Sequence, residues 1–316
     1  MSGLFTGMVS VRVPATSANL GPGFDAFGLA LSLYDEVAVR ATGSGLTIEV
    51  TGEGAGEVPR DEKHLVVRAL LAALEALGEP AANGLELRCV NRIPHGRGLG
   101  SSAAAIVAGV LAAFGLTGTA ADPARVLRIA DEIEGHPDNV AACVYGGFTI
   151  AWRDTGDDAG DGSGGGSRGG SGGGRAVRLE PAAGLSAVAY VPATALATEV
   201  ARGLLPATVP HGDAATNAGR AALLVTAITS RPDLLLVATE DRLHQSYRAP
   251  AMPDSAALVD RLRSAGVPAV VSGAGPTVLA FAPDGGASLP SAPEGWARLA
   301  LAIDPVGAQV WSGSLE

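Results

Sequence analysis

The amino-acid sequence predicts a protein of mixed α/β class, and three observations indicate it. Short apolar or alternating segments typical of strands are interspersed with longer periodic segments typical of helices along all 316 residues. Glycine-rich stretches interrupt this pattern at 21–23, 96–100 and 273–275. The chain is also long enough for two domains, or for one large domain, with an ample core.

In the first half, most predicted elements are strands that lead into glycine-rich turns. Alternation or apolar runs predict strands at 8–13, 34–40, 46–50, 85–90 and 144–152, and 26–33 is apolar. Residues 65–77 predict a helix, because apolar side chains recur on one face and Gly78 and Pro80 end the pattern. Further helices are predicted at 103–114 and 126–134.

A low-complexity tract over residues 155–174 separates the two halves. It consists mostly of Gly, Ser and Asp, so it cannot bury enough apolar area to order itself and predicts a flexible loop. Strand-like segments at 148–152 and 176–179 flank it and predict a hairpin with the tract at its tip. The predicted domains are therefore 1–154 and 175–316.

The second half has an Ala-rich α+β pattern. Strands are predicted at 187–191, 267–272 and 277–281, and helices at 198–205, 214–229, 233–246 and 254–265. The last two strands enclose the third glycine-rich stretch, which predicts a hairpin whose backbone can pack against a neighbouring loop.

One stretch before the 103–114 helix has the composition of a phosphate-binding loop. Glycine at every second position leaves little side-chain bulk, and two serines then begin an Ala-rich run. The free N–H groups and positive dipole end of such a helix suit a di- or triphosphate. The residues of this loop are Pro94, His95, Gly96, Arg97, Gly98, Leu99, Gly100, Ser101 and Ser102.

The spacing of this loop excludes two commoner nucleotide-binding motifs. A Walker A loop needs a lysine after its last glycine, and the one lysine of the chain is Lys63. The dinucleotide-binding pattern also fails, because the three glycines are evenly spaced. A glycine-rich turn before a core helix remains the alternative, and the serine pair with its uncharged helix favours a phosphate loop.

Three motifs, in this order, resemble those of the GHMP kinases, which act on galactose, homoserine, mevalonate and phosphomevalonate. They lie at residues 13–25, 94–103 and 272–277. The first contains Ala-Asn-Leu-Gly-Pro-Gly-Phe-Asp, which is similar to the members that act on homoserine. The resemblance implies an α+β fold with an N-terminal domain like domain 2 of ribosomal protein S5 and a ferredoxin-like C-terminal domain. It further implies an active site in the cleft between them, ATP as co-substrate and L-homoserine as phosphoryl acceptor.

The same resemblance implies a Mg²⁺ site formed by Glu134 and Ser102. Mg²⁺ prefers oxygen ligands and keeps several waters, so one carboxylate and one hydroxyl are sufficient protein ligands. Ser101 is expected to cap the helix and to contact phosphate. For the polar segment 134–139, a solvated helix end is the alternative.

Two groups of polar residues suit an amino-acid substrate. Asp25 can take an ammonium group and Asn19 can bond either end, although both residue types also suit turns. Arg202 and Arg248 each follow a hydrogen-bonding residue at helical spacing, and a guanidinium binds a carboxylate bidentately as lysine would not. Solvated arginines are the alternative. The substrate residues implied by the resemblance are Asn19, Asp25, His136, Asp138, Asn139, Thr198, Arg202, Arg248 and Gly273.

No side-chain carboxylate is expected to act as general base. In the GHMP kinases that use one, an aspartate lies seven positions before a Gly-Gly pair, and Asn139 holds that position here. Asp138 is adjacent, but in an extended segment its side chain would point away from that of Asn139. The expected catalytic residues are Asn139, His136 and Glu134, with the hydroxyl proton leaving late or directly to phosphate.

Composition limits the partners and the compartment. The net charge of -10 argues against a nucleic-acid partner, and with no signal-peptide pattern it favours a cytoplasmic protein. Cys89 and Cys143 form no ligand motif and are expected to be free buried thiols. Residues 103–121 are uncharged but carry few large apolar side chains, which favours a buried helix over a membrane span. Dimers are common in the family, so a homodimer is one expectation.

Two other functions stay open at this level. One is a GHMP kinase that acts on a different small carboxylated alcohol, since the arginines indicate a carboxylate but not the length of the side chain. The other is a nucleotide-binding regulator of the same fold that has lost catalysis, against which Ser102 and Glu134 argue.

Overall fold

The computed structural model describes residues 4–154 and 173–315, and its strands form two sheets. The strands are β1 (Val9–Ala18), β2 (Phe27–Thr42), β3 (Gly45–Gly52), β4 (Gly84–Asn91), β5 (Phe148–Arg153), β6 (Gly174–Leu179), β7 (Ser186–Pro192), β8 (Ala269–Val271), β9 (Val278–Ala282), β10 (Trp296–Ala302) and β11 (Gln309–Ser312). The helices are α1 (Leu65–Leu77), α2 (Ser101–Thr117), α3 (Pro123–Glu134), α4 (Pro137–Tyr145), α5 (Thr198–Gly203), α6 (His211–Thr229), α7 (Leu235–Ala238), α8 (Gln245–Arg248) and α9 (Pro253–Ser264).

The first sheet has the order β11-β1-β2-β4-β3, with β5 against β2 and β6 against β5. β2 is 16 residues long, so its beginning pairs with β5 and its end pairs with β4. A register shift between Pro14 and Ala15 interrupts the β1–β2 ladder just before the first glycine-rich motif. The end of β1 therefore lies next to the site described below, which begins at the following residue, Asn19.

Helix α2 lies in the core beneath this sheet, packed against α1, α3 and β1. Twelve of its residues are buried, on all sides of the helix. Gly109 permits the close approach of α1, because a Cβ there would overlap the carbonyl oxygen of Val66. Burial on every face explains why this segment is apolar throughout, and the prediction of a buried helix is confirmed.

The second sheet is antiparallel, with the order β10-β7-β9-β8. Leu258 and Leu262 of α9 pack against one of its faces together with Tyr190 and Val271. Parts of α6 and α7 bury side chains in the larger core shared with the first sheet. Two mainly antiparallel sheets, each packed against helices, confirm the α+β class.

The sequence predicted several elements closely and missed others. α1 matches its predicted bounds, and β5 pairs with β6 as the predicted hairpin. The predicted helix at 233–246 is wrong, because α7 ends at Ala238 and the next helix, α8, begins only at Gln245. Directly after α7, the Thr239 hydroxyl donates to the carbonyl of Leu235. The strand predicted from 144 is also wrong at its start, because α4 continues to Tyr145.

The predicted flexible tract falls outside the described residues, except for residues 173 and 174. Gly174 already belongs to β6, opposite Arg153 of β5. The predicted domain limits of 1–154 and 175–316 stay a prediction. The strands are divided differently, because β6 and β11 both join the first sheet.

Two further expectations concern the environment of the chain. Cys89 and Cys143 are free and buried, as predicted. Within 4–154 and 173–315, no helix combines the length and the hydropathy needed to cross a bilayer.

Candidate active site

The N-terminus of α2 opens onto a cavity of about 160 Å³, whose lining includes residues that follow β1, β7 and β8. Gly100 precedes the helix with φ 72°, and Gly96 and Gly98 also have positive φ, which glycine adopts without strain. No acidic residue stands in the first helical turn. The free N–H groups and the positive dipole end there are thus available to an anion. Ser101 is the first helical residue rather than the predicted cap, since the capping position is Gly100.

The third glycine motif packs directly on the phosphate loop. The Ser272 hydroxyl donates to the carbonyl of Gly98 at 2.6 Å, and the Gly273 N–H donates to the carbonyl of Ala18 at 2.8 Å. A Cβ at Gly98 would overlap the carbonyl oxygen of Ser272. The predicted packing of this hairpin against a neighbouring loop is confirmed. It joins all three motifs at one place.

Two oxygen groups that suit a hard cation lie side by side at the cavity. The Ser102 hydroxyl donates to Oε2 of Glu134 at 2.7 Å, joining the start of α2 to the end of α3. Burial raises the pKa of Glu134, and the Ser102 hydrogen bond acts in the opposite direction. A carboxylate in such surroundings gains from a nearby cation. Within the described residues, no cluster of three His, Cys, Asp or Glu side chains could hold a metal alone.

Residues 136–139 form the start of α4, not an extended segment. Pro137 holds the first helical position, which requires no N–H partner, and His136 precedes it in an extended conformation. Consequently Asp138 and Asn139 both line the cavity. The premise of an extended segment, on which the side chain of Asp138 was expected to point away from that of Asn139, was therefore wrong.

Asp138 and Asn139 are held differently at the cavity. The Thr16 hydroxyl donates to Oδ1 of Asn139 at 2.8 Å, which leaves the amide nitrogen as the free donor. Asp138 is 1% exposed. Its Oδ1 accepts the N–H of Asn139 at 2.8 Å, and its Oδ2 has no partner in the part of the chain that the structure describes. Burial is the main cause that raises the pKa of Asp138 to about 6. Burial and the nearby Arg202 lower the pKa of His136, which favours its neutral form.

Asp25 and Arg202 form a bidentate ion pair next to the cavity. The Arg202 guanidinium donates to Oδ1 at 2.5 Å and to Oδ2 at 3.2 Å. The N–H of Asp25 donates to Oδ1 of Asn19 at 2.8 Å, and both residues have positive φ. Asp and Asn are the residue types that best tolerate that conformation. Thr198, one helical turn before Arg202, also lines the cavity.

Arg248 is a buried guanidinium that finds no carboxylate partner among the described residues. It is 1% exposed, and within the same residues its Nε and Nη2 have no hydrogen-bond partner. His244 Nε2 donates to the carbonyl of Gly21 at 2.7 Å, so Nδ1 is the acceptor that faces Arg248 Nη1 at 3.3 Å. Burial lowers the pKa of His244, consistent with that neutral tautomer. Unsatisfied buried donors favour an anionic ligand at this place.

Phe24 is a site residue that sequence reasoning missed. Its ring centroid lies 5.1 Å from Arg248 Cζ and 5.6 Å from Arg202 Cζ, and the ring stacks on His244. It stands between Gly23 and Asp25 in the first motif, a position that looked like part of a turn. An aromatic residue next to a predicted ligand was the signal that could have identified it.

A second cavity of about 280 Å³ shares Ser101 and Ser102 with the first. Its lining is mainly apolar, with a few polar groups that include His64 and Asn91. It therefore offers an apolar site directly next to the anion-binding end of α2. This arrangement suits a flat heterocycle attached to a phosphate chain.

Some of the predicted phosphate-loop residues take other roles. Arg97 donates to the carbonyls of His95, Pro192 and Ala193, which ties the loop to the end of β7. Leu99 is fully buried in the core. Pro94 does not line the first cavity, and the side chain of His95 lines the second.

The remaining predicted site residues come together at one place. Asp25 does not line the first cavity itself, but it forms an ion pair with Arg202, which does. The others line the first cavity: Asn19, Gly96, Gly98, Gly100, Ser101, Ser102, Glu134, His136, Asp138, Asn139, Thr198, Arg202, Arg248 and Gly273.

Comparisons with known proteins agree with this arrangement. Residues 64–147 match the family model for the GHMP kinases N terminal domain, and residues 220–289 match that for GHMP kinases C terminal. The homoserine kinase of Streptomyces avermitilis is 57% identical over 96% of this chain and 95% of its own length. That of Streptomyces coelicolor is 58% identical over 96% of this chain and 94% of its own.

Solved structures agree as well. The crystal structure of homoserine kinase from Cytophaga hutchinsonii superposes with a TM-score of 0.79 at 28% identity, covering 96% of this chain and 98% of that one. Both family models and the near-full-length relatives thus match a chain in which three glycine motifs meet at the N-terminus of α2. The chain therefore belongs to the GHMP kinase family.

Proposed function

We propose that the protein transfers the γ-phosphoryl group of ATP to the side-chain hydroxyl of L-homoserine, a step of threonine biosynthesis. The observation that carries this proposal is one cavity that combines the free end of α2, the Ser102–Glu134 pair and Arg248, whose Nε and Nη2 have no hydrogen-bond partner within the described residues. Relatives named homoserine kinase cover almost the whole chain. From the net charge of -10 we also propose a cytoplasmic protein with no nucleic-acid partner. Because dimers are common in the family, we further propose a homodimer.

ATP binds with its phosphates at the N-terminus of α2 and its adenosine end in the apolar second cavity. The two cavities meet at Ser101 and Ser102, so the phosphate chain passes from one to the other over the helix end. Ser102 and Glu134 are the residues that would hold Mg²⁺. That cation, when bound, neutralises charge on the phosphates. Glu134 is partly buried, which favours its pairing with a positive charge.

The acceptor binds on the opposite side of the cavity. Arg248, together with Arg202, binds its α-carboxylate, while Asp25 and Asn19 take the α-ammonium group. Thr198 and Gly273 line this part of the cavity. The side-chain hydroxyl then points toward α4 and the phosphate end of the site.

Asp138 accepts the hydroxyl proton in this proposal. Asn139 cannot do so, since its oxygen is occupied by Thr16 and its nitrogen is a donor. Asn139 and neutral His136 therefore orient the hydroxyl, whereas Asp138 offers a buried and unpartnered carboxylate oxygen. A pKa of about 6 leaves this group ionised at neutral pH and more basic than an ordinary aspartate. This replaces the expectation that no carboxylate acts as general base.

An ADP-release assay with homoserine, serine, threonine, mevalonate and galactose tests the proposal. We expect Mg²⁺-dependent turnover with L-homoserine that exceeds the turnover with every other alcohol of the panel. Preference for serine, threonine or mevalonate would assign another acceptor. Nucleotide binding without turnover of any alcohol would indicate a regulator that has lost catalysis.

A further inference from the structure

Thr16 joins the phosphate loop to the acceptor side of the first cavity. It is fully buried near the end of β1. Its N–H donates to the carbonyl of Leu99 in the phosphate loop at 3.0 Å, and its hydroxyl donates to Oδ1 of Asn139 in α4 at 2.8 Å. A Cβ at Gly100 would overlap this hydroxyl, so the hydroxyl lies directly against the residue that precedes α2. Thr16 therefore contacts the segments proposed to hold the two reactants.

The hydroxyl of Thr16 favours one orientation of the Asn139 amide. A primary amide has an acceptor at its oxygen and donors at its nitrogen. Because Thr16 occupies the oxygen, Asn139, which lines the cavity, offers its nitrogen to a bound alcohol. A flipped amide would take this acceptor away from a fully buried hydroxyl, and a buried donor without an acceptor is unfavourable.

The orientation of this amide controls where the hydrogen of the acceptor hydroxyl points. When the nitrogen of Asn139 donates to the hydroxyl oxygen, the hydroxyl hydrogen stays available to another acceptor. Oδ2 of Asp138 is such an acceptor, because it is buried next to the same cavity and has no partner within the described residues. If the amide oxygen faced the cavity instead, it would compete with Asp138 for that hydrogen.

We infer that Thr16 is a positioning residue that directs the proton of the acceptor hydroxyl to Asp138, by holding the nitrogen of Asn139 toward the cavity. This inference rests on the proposed function and adds a residue to its proton transfer. The acceptor oxygen forms a bond to the γ-phosphorus, the bond from that phosphorus to the β–γ bridging oxygen breaks, and ADP leaves with the electron pair. The hydroxyl proton passes to Oδ2 of Asp138. Thr16 does not line the cavity, so it acts through Asn139.

Variants of Thr16 with and without a hydroxyl test this inference. Thr16→Val removes the hydroxyl and keeps the branched shape that suits a strand, and Thr16→Ala is the second such variant if valine does not fit against Gly100. Thr16→Ser keeps the hydroxyl. Ser10→Ala is the matched control, because Ser10 is fully buried on the same strand and its hydroxyl donates to the carbonyl of Gly313. Turnover of L-homoserine with ATP is measured on the full chain.

We expect the loss of this hydroxyl to lower kcat. In Thr16→Val or Thr16→Ala, kcat should fall about tenfold, while the KM for ATP changes by less than about twofold. Thr16→Ser should keep kcat within about threefold of the native value, because serine can make the same hydrogen bond. Ser10→Ala should keep the native kcat.

The decisive measurement repeats the substitution in two other backgrounds. With Asp138→Asn or Asn139→Ala already present, loss of the Thr16 hydroxyl should lower kcat by less than about twofold. The reason is that either background removes the proton acceptor or the amide through which Thr16 acts. A merely structural effect would instead lower kcat by the same factor in every background.

Four results would overturn the inference. They are a native kcat in folded variants without the hydroxyl, an equal loss in Thr16→Ser, an equal loss in Ser10→Ala, and the full tenfold loss in the Asp138→Asn background. Circular dichroism and thermal unfolding identify the folded variants. If the native protein does not turn over L-homoserine at all, the proposed function itself fails, which is a separate result.

Discussion

Replacing Asp138 with asparagine removes one charge from the acceptor cavity while keeping the shape of the side chain. The carboxamide can still accept the N–H of Asn139, which Oδ1 now accepts at 2.8 Å. It cannot accept a proton at the position of Oδ2. We therefore expect kcat with L-homoserine to fall about 10²- to 10⁴-fold, with little change in the KM for ATP.

The pH profile of the same variant separates a base from a structural group. With a pKa of about 6, Asp138 loses its charge in mild acid, so kcat/KM of the native enzyme should rise about tenfold per pH unit up to about pH 6 and then level off. Asp138→Asn should lack this rise. Any titration of His136 would remain in both proteins.

The substitution Asp138→Asn should raise the stability of the fold at neutral pH while it lowers activity. Folding raises the pKa of Asp138 from 3.8 to about 6, so the folded state holds the proton more tightly than the unfolded chain. The contribution of Asp138 to the free energy of unfolding is therefore most favourable below about pH 4 and is lost as pH rises through 6. Above pH 6 the buried charge costs about 3 kcal/mol at most. Asp138→Asn should raise the free energy of unfolding at pH 8 by up to that amount.

Steady-state kinetics and urea unfolding between pH 5 and 8 check these expectations together. A fall of only about tenfold, expressed in the KM for homoserine with kcat retained, would refute the base and leave Asp138 a positioning role. A native-like acid limb in the variant would refute it as well.

Four further changes test other parts of the site. Arg248→Lys should weaken homoserine binding by about 2–5 kcal/mol and ATP binding far less, as measured by the two KM values; a rise confined to the KM for ATP would place this arginine at the phosphates. Glu134→Gln should lower kcat and raise the Mg²⁺ concentration needed for half-maximal activity, because an amide is a poorer ligand for a hard cation; an unchanged Mg²⁺ titration would remove this residue from the metal site. Gly98→Ala should abolish ATP binding through its overlap with the third motif, whereas Gly118→Ala, at a positive φ with open space, should lower only stability, by about 1–2 kcal/mol; equal effects on ATP binding would contradict the packing argument. Deleting residues 157–172 should leave homoserine turnover nearly intact, since each halving of a loop changes its closure free energy by only about 0.6 kcal/mol; a large loss in a folded deletion would give the tract a role in catalysis.

The sequence was sufficient for elements whose signals are local. α1 has a complete apolar face and a glycine immediately after it, and its predicted bounds agree with the structure. α4 was missed because Pro137, Asp138 and Asn139 are common in turns, although the same residues suit a first helical turn. A helical period there would have removed the argument, based on an extended segment, that Asp138 points away from Asn139.

Long-range features had no such local signal. β11 has four residues and is defined by its pairing with β1, almost 300 positions earlier in the chain. The positions of Arg202 and Arg248 near one site were inferred from family resemblance. Arg202 pairs with Asp25, whereas Arg248 lies over the ring of Phe24, and only the three-dimensional arrangement shows this difference.

The pairing of β11 with β1 also has a consequence for biosynthesis. β1 receives its outer neighbour only after residues 309–312 have been translated. Until then, the N–H and C=O groups of residues 9–12 form an open edge, at which a second nascent chain could add a strand. β11 therefore closes a template for self-association, and chains that end before residue 309 would be released with that edge exposed.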